Sequence, residues 1–131
     1  MRNPPSFNMG LHRSAMERTQ EAVLAQDPER ARELFCKALE LERKAAESWA
    51  ETRNEEPTRS ILYRSAASLA WSCQDYPEAE RLARKGLEGE PPGDIAHELE
   101  ELLGMLARRK PLQREPRVSR LAQGGRFARE K

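Results

Sequence analysis

The sequence predicts an all-α protein, and three observations carry that expectation. Apolar residues recur at three- and four-residue spacing over long stretches, the spacing that aligns side chains on one helix face. Asp, Pro and Gly cluster at the breaks between those stretches, where helices start and stop. Val, Ile and Thr are scarce, and no run alternates apolar and polar residues as a half-buried strand does.

Residues 1–10, with Pro4 and Pro5, show no periodicity and are expected to form a flexible N-terminal segment. A first helix over residues 11–26 places Ala15, Met16, Thr19, Ala22 and Val23 on one face. Asp27-Pro28-Glu29 is a helix start. The Asp side chain accepts from unpaired first-turn amides, Pro is tolerated where no amide is needed, and the following acid suits the dipole. The second helix is long, from residue 28 to about 53, with a stripe of Ala31, Leu34, Phe35, Ala38, Leu41, Ala45 and Trp49. Asn54-Glu55-Glu56-Pro57 breaks it, and a third helix begins near Thr58.

In that third helix Leu62, Ala66, Leu69 and Cys73 share a face, with Ala67 and Ala70 beside them. Asp75 is placed to cap a fourth helix, Glu78 three residues on completes a capping-box-like pair, and Pro77 falls in the first turn. The fourth helix carries Ala79, Leu82, Ala83, Gly86 and Leu87, and Gly89, Pro91, Pro92 and Gly93 end it. The small residues of this hairpin let two backbones approach closely. Asp94 is expected to cap a fifth helix with an Ile95, Leu99, Leu102, Leu103, Leu106 stripe, which covers the open end of the hairpin as a solenoid cap does. Arg108, Arg109 and Lys110 follow at its C-terminal end, where the dipole favours cations.

From Pro111 onward Pro111, Pro116, Gly124 and Gly125 interrupt any helix, leaving room for a short one near residues 118–122. The expected organisation is a flexible segment over 1–10, a helical domain over 11–108 and a basic, disordered tail over 109–131. The chain of 131 residues has a formal net charge of +1, unevenly spread. From Arg108 to the end there are nine Lys/Arg against two Asp/Glu, while the preceding residues carry 14 against 20. A mildly acidic body thus bears a tail at +7.

Cys36 and Cys73 both fall within predicted helices, without CxxC spacing or neighbouring histidines. They are expected to be two small buried thiols in a reducing cytoplasm, with a disulfide or metal site as the open alternative. No apolar run approaches the roughly 18–20 residues that span a bilayer. The first ten residues lack the apolar core of a secretory signal, so a cytoplasmic location is the default expectation.

Residues 58–92 resemble a tetratricopeptide (TPR) repeat, with Tyr63, Ala66, Ala67, Asp75, Tyr76, Ala79 and Pro91 at matching offsets. Ala70 departs where an aromatic is common, and Gly86 where alanine is usual. The start of the second helix is similar to the second helix of such a unit: Ala31 aligns with Ala79, Phe35 with Ala83 and Ala38 with Gly86, at an offset of 48 residues. A TPR period is about 34 residues, so the excess implies a second helix extended by roughly four turns. The resemblance implies antiparallel hairpins forming a right-handed bundle of about five helices rather than a regular superhelix.

It also implies a non-catalytic protein–protein interaction module, an adaptor or scaffold. The positions that contact peptides in that family fall here on Ile61, Arg64, Ser68 and Trp71. Arg64 would hold a carboxylate and Trp71 would offer a flat apolar contact. The alternative for these two is internal: Trp71 as half-buried packing and Arg64 paired with an acid of its own chain. The equivalent first-unit positions, Arg13, Met16, Gln20 and Val23, lack the Lys/Asn set of carboxylate-clamp TPRs, so chaperone tails are not suggested. Self-association through the long second helix and Trp49 is a further expectation.

A competing reading assigns function to the tail. Arg108, Arg109, Lys110, Arg114, Arg117, Arg120, Arg126 and Arg129 would contact nucleic acid or an acidic partner electrostatically. Phe127 is the one aromatic there, so base stacking is not implied. No enzyme, cofactor or metal is expected. HExxH, GxSxG, P-loop and GxGxxG motifs are absent. No arginine stands four to six residues before His12 or His97, as in helical nucleases of the HEPN type. Both histidines are expected to be exposed and uninvolved. The glutamates, among them Glu40, Glu42, Glu47, Glu98, Glu100 and Glu101, are expected to form a solvated face with pairs such as Glu40–Lys44.

Overall fold

The computed structural model describes residues 9–114, with side chains through residue 109. Five helices make up this part: α1 Met9–Leu24, α2 Pro28–Thr52, α3 Thr58–Cys73, α4 Tyr76–Glu88 and α5 Gly93–Arg114. Met9 and Gly10, expected in the N-terminal segment, open α1. The rest of that segment and the short helix expected near 118–122 lie outside the described residues. No strand occurs among the described residues. Short turns fold each helix back on its predecessor, and packing follows chain order, α1 on α2, α2 on α3, α3 on α4 and α4 on α5. The one additional contact among the described helices is between α3 and α5.

That order makes α3 the central helix. Its Leu62, Tyr63, Ala66, Ala67, Leu69, Ala70 and Cys73 are all buried. They meet Ala38, Leu39, Ala45 and Ala46 of α2, Ala79, Leu82 and Ala83 of α4, and Leu99, Leu102 and Leu106 of α5 in one core. Many of these residues are alanines with no exposed surface, so the core is built from close backbone approach more than from bulky side chains. Gly86 is a point of close approach within that core. A Cβ there would lie 2.9 Å from Leu99 Cδ1 and 3.2 Å from Tyr63 Cβ.

The extended second helix is continuous over 25 residues. Two aspartate caps are as the sequence predicts: Asp27 accepts from the Arg30 amide at 3.2 Å and Asp75 from the Glu78 amide at 3.3 Å. The capping box at Asp75 is only half formed. The Asp75 amide already donates to the Ala70 carbonyl at 2.8 Å, so Glu78 has nothing to reach back for and turns to arginines instead. At α3 the cap comes from outside the helix: Glu56 Oε1 accepts from the Ser60 amide at 3.0 Å. Asp94 lies inside the first turn of α5 and accepts from the neighbouring Ile95 amide.

Helix α1 buries only Ala15 and Ala22, leaving Val23 69% and Leu24 72% exposed. It packs on α2 alone, so one narrow stripe suffices. Helix α5 extends through Arg114, past Arg108 where the helical domain was expected to end. Proline's fixed φ is compatible with a helix, and Pro111 sacrifices one hydrogen bond in the terminal turns.

Cys36 and Cys73 form a disulfide, with Cα atoms 4.9 Å apart and a sequence separation of 37. This corrects the expectation of two free thiols. The pairing arises from α2 packing on α3, which brings together cysteines whose spacing matches no motif. Closing a loop of this length removes unfolded-chain entropy worth about 4 kcal/mol.

Gly86 supplies a direct check on the close packing. Gly86→Val forces Leu99 and Tyr63 apart, and we expect a loss of about 3 kcal/mol in urea unfolding.

Candidate interaction face

Ile61, Arg64, Ser68 and Trp71 recur at three- and four-residue spacing and form one outward stripe of α3. Ser68 is exposed, and the other three are half-buried. The stripe is bordered by α5. Arg64 donates to Glu98 at 2.8 Å, and near the other end Arg109 lies over Tyr76 at 4.0 Å and Trp71 at 5.8 Å from the ring centroids. Because residue 64 meets 98 and residue 71 meets 109, α3 and α5 run in the same direction. Trp71 and Tyr76 meet edge to face, with centroids 5.3 Å apart.

The stripe is therefore partly engaged within the chain. Arg64 is paired with an acid of its own chain, although both partners keep substantial solvent exposure. Trp71 is part of an aromatic–arginine cluster. Arg109, expected in an irregular tail, is a helical residue held on the Tyr76 ring. No sequence pattern signals that contact, because Tyr76 and Arg109 belong to different helices. Of the other tail residues, Arg108 is exposed on α5, Lys110 and Arg114 belong to its last turns, and Arg117, Arg120, Arg126 and Arg129 lie outside the described residues.

Two histidine and glutamate expectations are corrected. Glu42 is fully buried, and His12 Nδ1 lies 2.9 Å and 3.0 Å from its two carboxylate oxygens. His12 thus tethers α1 to α2 through a pair 30 residues apart, beyond the reach of local spacing. Glu40 pairs with Arg43 at 2.7 Å rather than with Lys44. His97 is exposed, 3.3 Å from Glu101.

Polar clamps join the remaining helices. Arg59, only 7% exposed, donates to the Lys85 carbonyl at 2.8 Å and the Gly86 carbonyl at 3.5 Å, closing the end of α4 from α3. Its guanidinium rests over the Tyr63 ring at 5.0 Å. Burial pushes the Tyr63 hydroxyl up from its ordinary value, against the pull of Arg59. Glu56 adds a second tie, accepting from the Glu90 amide at 2.9 Å. Between α2 and α4, Glu78 accepts from Arg81 at 2.7 Å and from Arg43 at 3.4 Å, and Arg81 also reaches Glu47 at 3.5 Å. Trp49 donates to the Glu55 carbonyl and stacks under Arg53 at 5.1 Å, at the end of α2.

Two surface cavities accompany these features. One, of about 520 Å³, runs along α5 past His97, Glu100, Glu101, Gly104, Met105 and Arg108. The other, of about 410 Å³, lies between the start of α2 and the end of α3. Among the described residues no group of three or more His, Cys, Asp or Glu is gathered to hold a metal ion, and no helix is long and apolar enough to cross a membrane.

The Glu78 clamp has a defined pH signature. Hydrogen bonding from Arg81 holds its carboxyl below the usual range, against the opposing effect of burial. A depressed folded pKa contributes stability above the unfolded value, lost as pH falls through the folded one. We expect Glu78→Gln to cost about 1 kcal/mol at neutral pH in urea unfolding, and the gap from the parent to close as the solution is acidified. No family model matches the chain, and no curated protein or solved structure is significantly similar to it.

Proposed function

We propose that the chain is a non-catalytic protein-interaction module, built as TPR-like antiparallel hairpins in a right-handed bundle, whose α3 stripe receives a segment of another protein. The observation that supports this is Ser68. It is exposed on a helix whose other faces are buried, between half-buried Arg64 and Trp71. A small polar floor flanked by an arginine and an aromatic suits a partner segment with one apolar side chain and a nearby acid. Glu98 neutralises Arg64 until such an acid competes for it.

Ser68→Arg fills the stripe without touching the core. For a partner recovered with the parent chain and then titrated as a purified protein, we expect at least about a tenfold weaker Kd with Ser68→Arg and an unchanged circular dichroism melt. A control at Lys37→Glu, exposed on α2, leaves binding intact. Equal affinity of parent and Ser68→Arg for every such partner overturns the proposed face.

A second reading rests on charge. The +7 balance from Arg108 onward suits an acidic partner or nucleic acid. Binding to duplex and single strands that weakens steeply with salt, and disappears on removing residues 115–131, supports it; binding that persists without them counts against it.

A further inference from the structure

The cleft between α2 and α3 has two walls. Pro28, Glu29, Ala31, Arg32 and Phe35 form the α2 side, and Ser72 and Gln74 form the side at the end of α3. Phe35 adjoins Cys36, and Ser72 and Gln74 flank Cys73. The disulfide therefore ties one wall to the other immediately beside the cleft.

The start of the α2 wall has few other ties, although Phe35 further along it packs against the core. From Pro28 to Glu33 only Ala31 is even partly buried, and the first buried side chain is Leu34. The opposite wall ends in a strained corner. Gln74 is a non-glycine residue at φ 70°, stabilised by its amide bond to the Trp71 carbonyl and by the Asp75 amide bond to Ala70. The large core, by contrast, is centred on the alanines of α3 and on Leu82 and Leu99. Cys73 itself belongs to that core, but α5, which carries Leu99 and Leu102, makes no contact with α2, so opening the disulfide bears first on the cleft walls.

We propose that Cys36–Cys73 is a reversible redox strap that sets the width of this cleft, with a dithiol as its reductant. Cys36 is half-buried and Cys73 buried, so Cys36 is the more accessible residue of the pair. The reductant's thiolate attacks Cys36 Sγ, breaks the Cys36–Cys73 bond and forms a mixed disulfide, and Cys73 leaves as a thiolate that takes up a proton. The second thiol of the reductant, deprotonated, attacks its own sulfur in that mixed disulfide and releases Cys36, which is protonated in turn. Two electrons and two protons pass to the cysteines, and the dithiol ends as a cyclic disulfide. Whatever the α3 stripe binds, the strap acts on the corner that leads into Tyr76.

Hydrogen exchange of the full chain, oxidised in air and then treated with dithiothreitol without denaturant, tests the strap. We expect the oxidised protein to lack maleimide-reactive thiols and the reduced protein to have two, matching its two cysteines. On reduction the amides of Ala31, Gln74 and Asp75 should exchange at least about tenfold faster, those of Leu99 and Leu102 should not change, and reoxidation should restore the first pattern. The double variant Cys36→Ser/Cys73→Ser should reproduce the reduced pattern. Free thiols after oxidation, a bond that yields only in denaturant, or exchange that quickens everywhere or nowhere would each overturn the proposal.

Discussion

The close approach of α3 to its neighbours is the constraint on which the rest of the structure depends. A helix with packed neighbours along most of its circumference must present small side chains where backbones meet. Ala66, Ala67 and Ala70 do this on α3, and Ala38, Ala45, Ala46, Ala79 and Ala83 answer them from α2 and α4. At Gly86 even a methyl group would make Leu99 and Tyr63 give way. Short interhelix distances fix where each helix end falls, and so fix which polar groups can reach across.

Those polar groups then act as clamps at the edges of the core. Arg59 satisfies carbonyls at the end of α4 that have no helical partner, and Glu56 satisfies amides on α3 and in the turn after α4. Glu42 is a charge-bearing group inside the fold, and His12 from α1 meets both of its oxygens. Glu78 serves α4 and α2 at once through Arg81 and Arg43. A core built of small residues buries modest apolar area, so such hydrogen bonds carry more of the specificity here than in a leucine-rich bundle.

The candidate face follows from the same geometry. Since α5 lies along α3 in the same direction, it supplies an acid at Arg64 and an arginine at Trp71 and Tyr76. Between those two contacts Ser68 stays open. The face is thus a product of three helices, and the disulfide ties α2 to the corner from which Tyr76 emerges.

Local chemistry alone determined much of this protein. Aspartate caps, prolines in first turns and three-and-four spacing placed five helices and an extended α2, because each of these signals acts within one or two turns. Ile61, Arg64, Ser68 and Trp71 were singled out by the TPR resemblance, and their spacing within one helix puts them on one face. The tertiary structure decided what those residues meet. His12 finds Glu42 across 30 positions, Cys36 finds Cys73 across 37, and Arg64 finds Glu98 across 34. Such contacts depend on how far apart the helix axes lie and how each helix is rotated, and these are set jointly by every alanine in the core rather than by any one segment of the chain.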